Sequence, residues 1–236
     1  MADPFAVPDI VLLCHCDGTN GSTSFIDESP YAHTLTPTLA TVSTTSPKFG
    51  TGSASFTAGA AARIDVGNAT HFQFGADQFT AEAWGYFTAA PSATHAVLSQ
   101  FASSFNLGWF FGFLGGSLSF FYSTSGSNNP SVGASYSPTL NTWIHLAADR
   151  DASNVLRVYV NGSVIASATV SSTFFASTQL ARIGNDGNFN RPFPGRLDEV
   201  RVVRGTAMYA GSFTPPTAPF DSIAASAQQY SVSVIA

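Results

Sequence analysis

The chain holds only three glutamates, Glu28, Glu82 and Glu199. A glycoside hydrolase needs two carboxylates flanking the scissile bond, about 5–5.5 Å apart when retaining and ~6.5–9.5 Å when inverting. No two of these glutamates share a strand. Glu82 shares its strand face with Thr80 and Trp84 and reads as a sheet-buried, hydrogen-bonded structural carboxylate. No catalytic residue is assigned, and no enzyme activity is expected. Cys14 and Cys16 flank His15. On a strand that spacing turns both thiols to one face, where a zinc site lacks two ligands and a disulfide is strained; buried free thiols are expected. His33, His71, His95 and His145 show no triad or metal spacing and are expected to be hydrogen-bonded singly. The loop Gly184-Asn185-Asp186-Gly187-Asn188-Phe189-Asn190-Arg191 sets one aromatic among amides, a carboxylate and a guanidinium, a composition that can stack on a sugar and hydrogen-bond it. Asn185, Asp186, Asn188, Phe189 and Arg191 are therefore candidate glycan ligands, with residues 125–130 on the same rim. The alternative is that Asn-Gly loops are simply good turns.

The elements that position such residues must be strands. Charged residues make up 10% of the chain and aromatics 13%, with 21 Phe, the opposite of a disordered composition and the mark of a large aromatic core. Net charge is −5, with nine Lys plus Arg, so nucleic-acid binding has no electrostatic footprint. No apolar run approaches the ~20 residues of a transmembrane helix. Met1-Ala2-Asp3-Pro4 does not begin a charged and then apolar leader. The expectation is a soluble protein made in a cytoplasm, in which case the sequons at Asn20, Asn68 and Asn161 are chance.

Helical periodicity is nearly absent, and short alternation between Gly, Pro, Asn and Ser clusters recurs. Strands are predicted over residues 10–17, 79–87, 96–101, 107–114, 117–122, 143–150, 156–160, 164–170, 180–184 and 196–203. A short pair is predicted at 53–56 and 61–66. Gly115-Gly116 and Asn161-Gly162 suit the two-residue hairpin turns that match strand twist. The 79–87 strand carries aromatics on both faces and should be central and covered on both sides. After the alternating strand Arg196-Leu197-Asp198-Glu199-Val200-Arg201-Val202-Val203, the proline-rich run Phe213-Thr214-Pro215-Pro216-Thr217-Ala218-Pro219-Phe220 should hook away from any sheet centre.

Leu12-Leu13-Cys14-His15-Cys16-Asp17-Gly18, Phe79-Thr80-Ala81-Glu82-Ala83-Trp84, Trp143-Ile144-His145-Leu146-Ala147, Val158-Tyr159-Val160-Asn161-Gly162 and Leu197-Asp198-Glu199-Val200-Arg201 stand in the order seen in concanavalin A-like lectin/glucanase domains. The chain most resembles their laminin-G-like branch. The likeness spans residues 10–220. It implies an all-β, two-sheet antiparallel jelly-roll sandwich, and the glucanase members' Glu-x-Asp-x-x-Glu strand is missing here. Relatives with a structural Ca²⁺ use an early Asp and an Asp of the last strand, positions matched by Asp17 and Asp198; the Asp17-Gly18-Thr19-Asn20-Gly21 turn supplies further oxygens. Otherwise Asp17 caps a turn and Asp198 pairs with an arginine.

The ending Gly205-Thr206-Ala207-Met208-Tyr209 with Phe213-Thr214-Pro215-Pro216 resembles the version of the domain found in tailed-phage virion proteins. That likeness implies a non-enzymatic structural protein of a phage particle, a capsid decoration or tail protein. Its localisation would be the virion, with an N-terminal arm (1–9) and a C-terminal tail (221–236) anchoring the body (10–220) to other virion proteins as a homo-oligomer, a trimer for instance. A lectin-like adhesion module recognising a cell-surface glycan is the alternative, and a glycosidase the third reading. Neither a nucleic acid nor a membrane is expected as partner.

Overall fold

In the computed structural model the described residues are 8–57, 59–102, 105–188 and 190–221. Among them the alternating segments form fifteen strands and one 3-10 turn, Ala69–Phe72. The first eight strands are β1 (Asp9–Cys14), β2 (Leu35–Thr38), β3 (Thr41–Ser43), β4 (Ser53–Ser55), β5 (Arg63–Val66), β6 (Phe79–Phe87), β7 (His95–Gln100) and β8 (Trp109–Leu114). The remainder are β9 (Ser117–Tyr122), β10 (Ser131–Ser135), β11 (Trp143–Arg150), β12 (Val155–Val160), β13 (Ser163–Thr169), β14 (Ala181–Ile183) and β15 (Gly195–Arg204). An eight-stranded sheet runs β13-β12-β11-β6-β15-β4-β3 with β1 also on β15, and a seven-stranded sheet runs β10-β9-β8-β7-β14-β5-β2. All strand pairs within both sheets are antiparallel. Among the described residues no helix is long and apolar enough to cross a membrane.

The inward side chains of the two sheets meet in one aromatic core. Phe79 and Phe87 of β6, Phe111 and Phe113 of β8, Phe120 of β9 and Phe193 are all fully buried, with Phe74 stacked on Phe79 at 4.2 Å. β6 is central, between β11 and β15, and its outward Glu82 and Trp84 are buried as well. The turns behave as their residues dictate: Asn161 and Gly162 have φ of 46° and 77°, and Gly115 and Gly116 have 55° and 82°, the signature of a type I′ hairpin.

Three features depart from the sequence reading. β4 and β5 are not partners: β4 pairs with β3 and β15, while β5 pairs with β2 and β14 in the other sheet. The chain between them crosses from sheet to sheet, held where the Asn185 amide donates to the carbonyls of Ala60 and Ala62, both at 2.9 Å. β15 does not alternate throughout. Asp198 pairs with Trp84 but Arg201 with Glu82, so a bulge adds one residue, with Glu199 at φ 50°. The bulge restores parity: Leu197, Val200 and Val202 all reach the core, while Asp198 and Arg201 face outward with their β6 partners. Finally, β1 begins at Asp9 and ends at Cys14 because Cys16 sits at φ 59°. Asp9 therefore belongs to the sheet, its carboxylate 3.0 Å from Arg204 Nη2. Residues 1–7 and 222–236, on which the anchoring expectation rests, lie outside the described residues.

Candidate functional site

The outer face of the eight-stranded sheet is covered over its central strands. Residues 205–221 leave β15, form no further strand and lie back across β6, β11 and β12. Met208 N donates to Thr80 Oγ1 at 2.9 Å, Tyr209 Oη to Glu82 Oε2 at 2.5 Å and Ala210 N to Asp149 Oδ2 at 2.8 Å. Phe213 N donates to the Gly162 carbonyl at 2.9 Å and Phe220 N to Glu199 Oε2 at 2.8 Å. Beneath this hook Glu82 is fully buried and receives Arg201 Nε and Nη2 on Oε1 at 2.8 and 2.6 Å. His145 Nε2 stands 3.1 Å from Oε2, off the hydrogen-bond direction. Burial pushes the Glu82 carboxyl up, but Arg201, His145 and Tyr209 outweigh it and hold the group at about 2. A carboxyl held this low, with no second carboxyl beside it among the described residues, gives no support to a proton-donor role in glycoside hydrolysis. Glu82 is a structural ion-pair partner, as the sequence implied.

The paired aspartates are satisfied by main-chain donors. Asp17 Oδ1 accepts from the amides of Thr51 and Gly52, the latter at 2.9 Å, and so caps the 50–52 turn. Asp198 Oδ2 accepts from Lys48 N at 2.8 Å and Phe49 N at 3.3 Å, and Oδ1 from Glu199 N at 2.8 Å. Burial pushes the Asp198 carboxyl up to about 8 against those hydrogen bonds. Carboxylate oxygens already accepting from converging main-chain N–H groups are the reverse of the oxygen cage that Ca²⁺ takes, so this donor set does not fit the cation. Among the described residues no three His, Cys, Asp or Glu converge for a metal. Cys14 and Cys16 are free and buried, their sulfurs 3.6 Å apart.

The histidines are not all singletons. Asp27 Oδ2 lies 2.7 Å from His33 Nδ1, and His33 Nε2 lies 2.8 Å from His71 Nδ1. These residues are adjacent only because the chain before β2 and the Ala69–Phe72 turn share one end of the seven-stranded sheet. His15, between the cysteines, reaches Glu199 through Nδ1 at 2.8 Å and Glu28 through Nε2 at 3.6 Å.

The 184–191 loop divides into a scaffold and a rim. Asn185 and Asp186 are fully buried. Asn185 Oδ1 accepts from Asp186 N and Arg191 N at 2.9 and 3.0 Å, while Asp186 receives Asn188 N at 3.0 Å and Arg191 Nη1 at 2.8 Å. These side chains hold the loop and are not presented outward. Phe189 lies outside the described residues. The loop is zipped to the sheet by Ala96 N on the Arg191 carbonyl at 3.0 Å and Gly187 N on the Phe101 carbonyl at 2.6 Å. Only Gly fits at 187, because a Cβ there meets Phe101 O at 2.6 Å and Ala102 Cβ at 2.7 Å.

Beside that loop the outer face of the seven-stranded sheet opens into a cleft of about 120 Å³. Its floor is Phe110 of β8 and Phe121 of β9, cross-strand partners with centroids 5.7 Å apart, and Phe101, 5.9 Å from Phe110. Leu114, Thr94, Asn129 and Arg191 form its walls and rim. Strand alternation explains the floor: Phe111 and Phe120 turn into the core, so Phe110 and Phe121 turn out. The sequence reading named Arg191 and the 125–130 rim but missed the three Phe. The outward phase of Trp109-Phe110-Phe111 and Phe120-Phe121 was the available signal.

A sequence profile described as the concanavalin A-like lectin/glucanases superfamily (laminin G type) matches residues 40–208. The chain belongs to that superfamily. Among solved structures, this superfamily member is similar to the binding domain of Paraclostridial Mosquitocidal Protein 1, with TM-score 0.64, 14% identity, 84% of this chain and 50% of that one covered. It is also similar to the botulinum neurotoxin serotype G binding domain (TM-score 0.60, 15% identity, 84% and 48% covered). The botulinum neurotoxin DC binding domain in complex with SialylT gives TM-score 0.57 at 13% identity, 96% and 52% covered. At these identities the likeness shows the fold alone, and the chain spans about half the length of each neighbour. No curated protein matches the sequence. The neighbours are toxin binding domains, so the phage-particle likeness of residues 205–216 gains no support from them.

Proposed function

We propose that this chain is a non-catalytic carbohydrate-binding module that seats part of a cell-surface glycan in the Phe101–Phe110–Phe121 cleft. The observation that carries this reading is the cleft itself, a polar rim and the exposed wall residue Leu114 above a floor of Phe101, Phe110 and Phe121, which keep 9%, 2% and 8% of their surface exposed. Aromatic rings cover the apolar faces of sugars while a few placed polar groups fix orientation. The Asn129 amide and the Thr94 hydroxyl make no hydrogen bond to another described residue, and both are available to sugar hydroxyls. Two of the neighbours agree with a glycan-binding use of the fold: the botulinum neurotoxin DC binding domain in complex with SialylT, and botulinum neurotoxin type C, whose cell entry is dependent upon interaction with two ganglioside molecules. The buried, ionised Glu82 gives no support to a hydrolase.

A glycan array followed by calorimetry tests the reading. Saturable binding is expected, and Leu114→Arg, which places a long charged chain at an exposed cleft wall, should weaken it at least roughly tenfold with an unchanged thermal midpoint. A silent array, or full binding by Leu114→Arg, would overturn it.

A further inference from the structure

Among the described residues, Arg191 is the only charged one lining the cleft, and no carboxylate lines it. Its side chain is one-third exposed (33%), while its partner Asp186 is fully buried. Asp186 engages Nη1 alone, at 2.8 Å. The Nε and Nη2 N–H groups, the side-on fork of the guanidinium, have no hydrogen-bond partner among the described residues. Two contacts hold the arginine in place at its main chain: Arg191 N donates to Asn185 Oδ1 at 3.0 Å, and its carbonyl accepts from Ala96 N at 3.0 Å. A guanidinium fixed at backbone and one nitrogen, lining the cleft with two N–H groups unpaired among the described residues, can take a planar two-oxygen anion.

We infer that the cleft selects an acidic sugar, one whose carboxylate is taken by the Nε and Nη2 N–H groups of Arg191 while its ring lies against the exposed wall at Leu114. This assignment rests on the carbohydrate-binding reading and narrows it to uronic- or nonulosonic-acid-bearing glycans. A neutral sugar leaves the fork to water. A free carboxylate without the ring leaves the Leu114 wall uncovered, so small acids such as acetate should compete poorly.

The test varies the ligand before the protein. The full chain is titrated with galacturonic acid oligomers and their carboxyl-reduced galactose counterparts, and with sialyllactose and lactose. The acidic member of at least one pair should bind roughly ten- to hundredfold more tightly, the worth of a charge-assisted hydrogen bond, and lose the advantage as salt rises. Arg191→Gln should abolish the preference. Because that change strands the buried Asp186, the double variant Asp186→Asn/Arg191→Gln is carried in parallel, and Arg191→Lys, which keeps the charge without the fork, should lose most of the preference. Equal binding of acidic and neutral members, or a preference untouched in the double variant, overturns the acidic-sugar assignment and leaves the carbohydrate reading standing. Binding to none of the four probes and to nothing on the array overturns both.

Discussion

Two buried titratable clusters set opposite pH dependences. His15 is held above its ordinary value of 6.5 first by its hydrogen bond to Glu199, with the charges of Glu199, Glu28 and Asp17 adding and burial opposing. A raised histidine contributes stability that is complete below 6.5 and is lost as pH rises through the folded value. Asp198, raised from 3.8 to about 8, acts in the same direction: the fold keeps it neutral, so its contribution declines as the unfolded chain ionises above 3.8. Glu82 has the reverse sign. Its stabilisation is present above 4.5 and lost as pH falls toward 2. Thermal midpoints should therefore fall on the alkaline side of 6.5, and His15→Gln should flatten that limb; an unaltered limb in the variant would assign the effect elsewhere. Glu82→Gln strands the Arg201 charge beneath Phe220, whose ring lies 3.9 Å from the guanidinium. Urea denaturation should show a loss of ~3–5 kcal/mol, the cost of breaking a buried pair by removing one partner.

At the scale of elements, the β15 bulge and the β12–β13 hairpin fasten the hook. Glu199 occupies a left-handed backbone position that costs on the order of 1–3 kcal/mol for a side-chain-bearing residue. The position aims its carboxylate at both His15 and Phe220 N. The hairpin tip meets the hook directly: Gly162 has φ 77°, and a Cβ added there collides with the Phe213 carbonyl and stands 3.2 Å from Pro215 Cδ. Phe213 in turn stacks on Tyr209 at 3.4 Å and 3°. Gly162→Ala should lower stability by roughly 1–3 kcal/mol and make the 205–221 segment the first site of limited proteolysis. Cleavage first elsewhere would mean that hairpin and hook are not coupled.

Across the whole molecule, the two outer faces have different fates. The eight-stranded sheet is roofed by the hook at one end and by the 44–52 loop at the other, where Lys48 Nζ lies 3.9 Å from the Trp84 ring. The seven-stranded sheet carries the aromatic-floored cleft on its outer face. Between Pro8, Ile10 and Phe220 the hook leaves a second cavity of about 390 Å³, lined by the residues at which both described ends of the chain finish. Because the hook buries Phe220 on Ile10, Leu13 and Val203 and satisfies Glu82, deleting residues 206–221 should lower the melting temperature by at least about 10 °C and expose dye-binding apolar surface. An unchanged melting curve would reduce the hook to a passive exit from the domain.

Strands such as Phe79–Phe87 and Trp143–Arg150, and the Asn161-Gly162 and Gly115-Gly116 turns, were legible in the sequence. Alternation and left-handed turn residues are local properties, readable without knowing what lies opposite. β2, with Pro37, and β10 were not legible: they are sheet edges, where one-sided pairing tolerates weak patterns. Tertiary structure alone decided which polar groups meet. Glu82 finds Arg201, 119 positions away, only because one bulged residue shifts the phase of β15. Phe110 and Phe121 face outward beside Arg191 only because hairpin register and the β7-bound loop bring them together. A pattern of period two states that a strand has two faces; cross-strand register, a property of pairs distant in sequence, determines which face becomes core and which becomes the site.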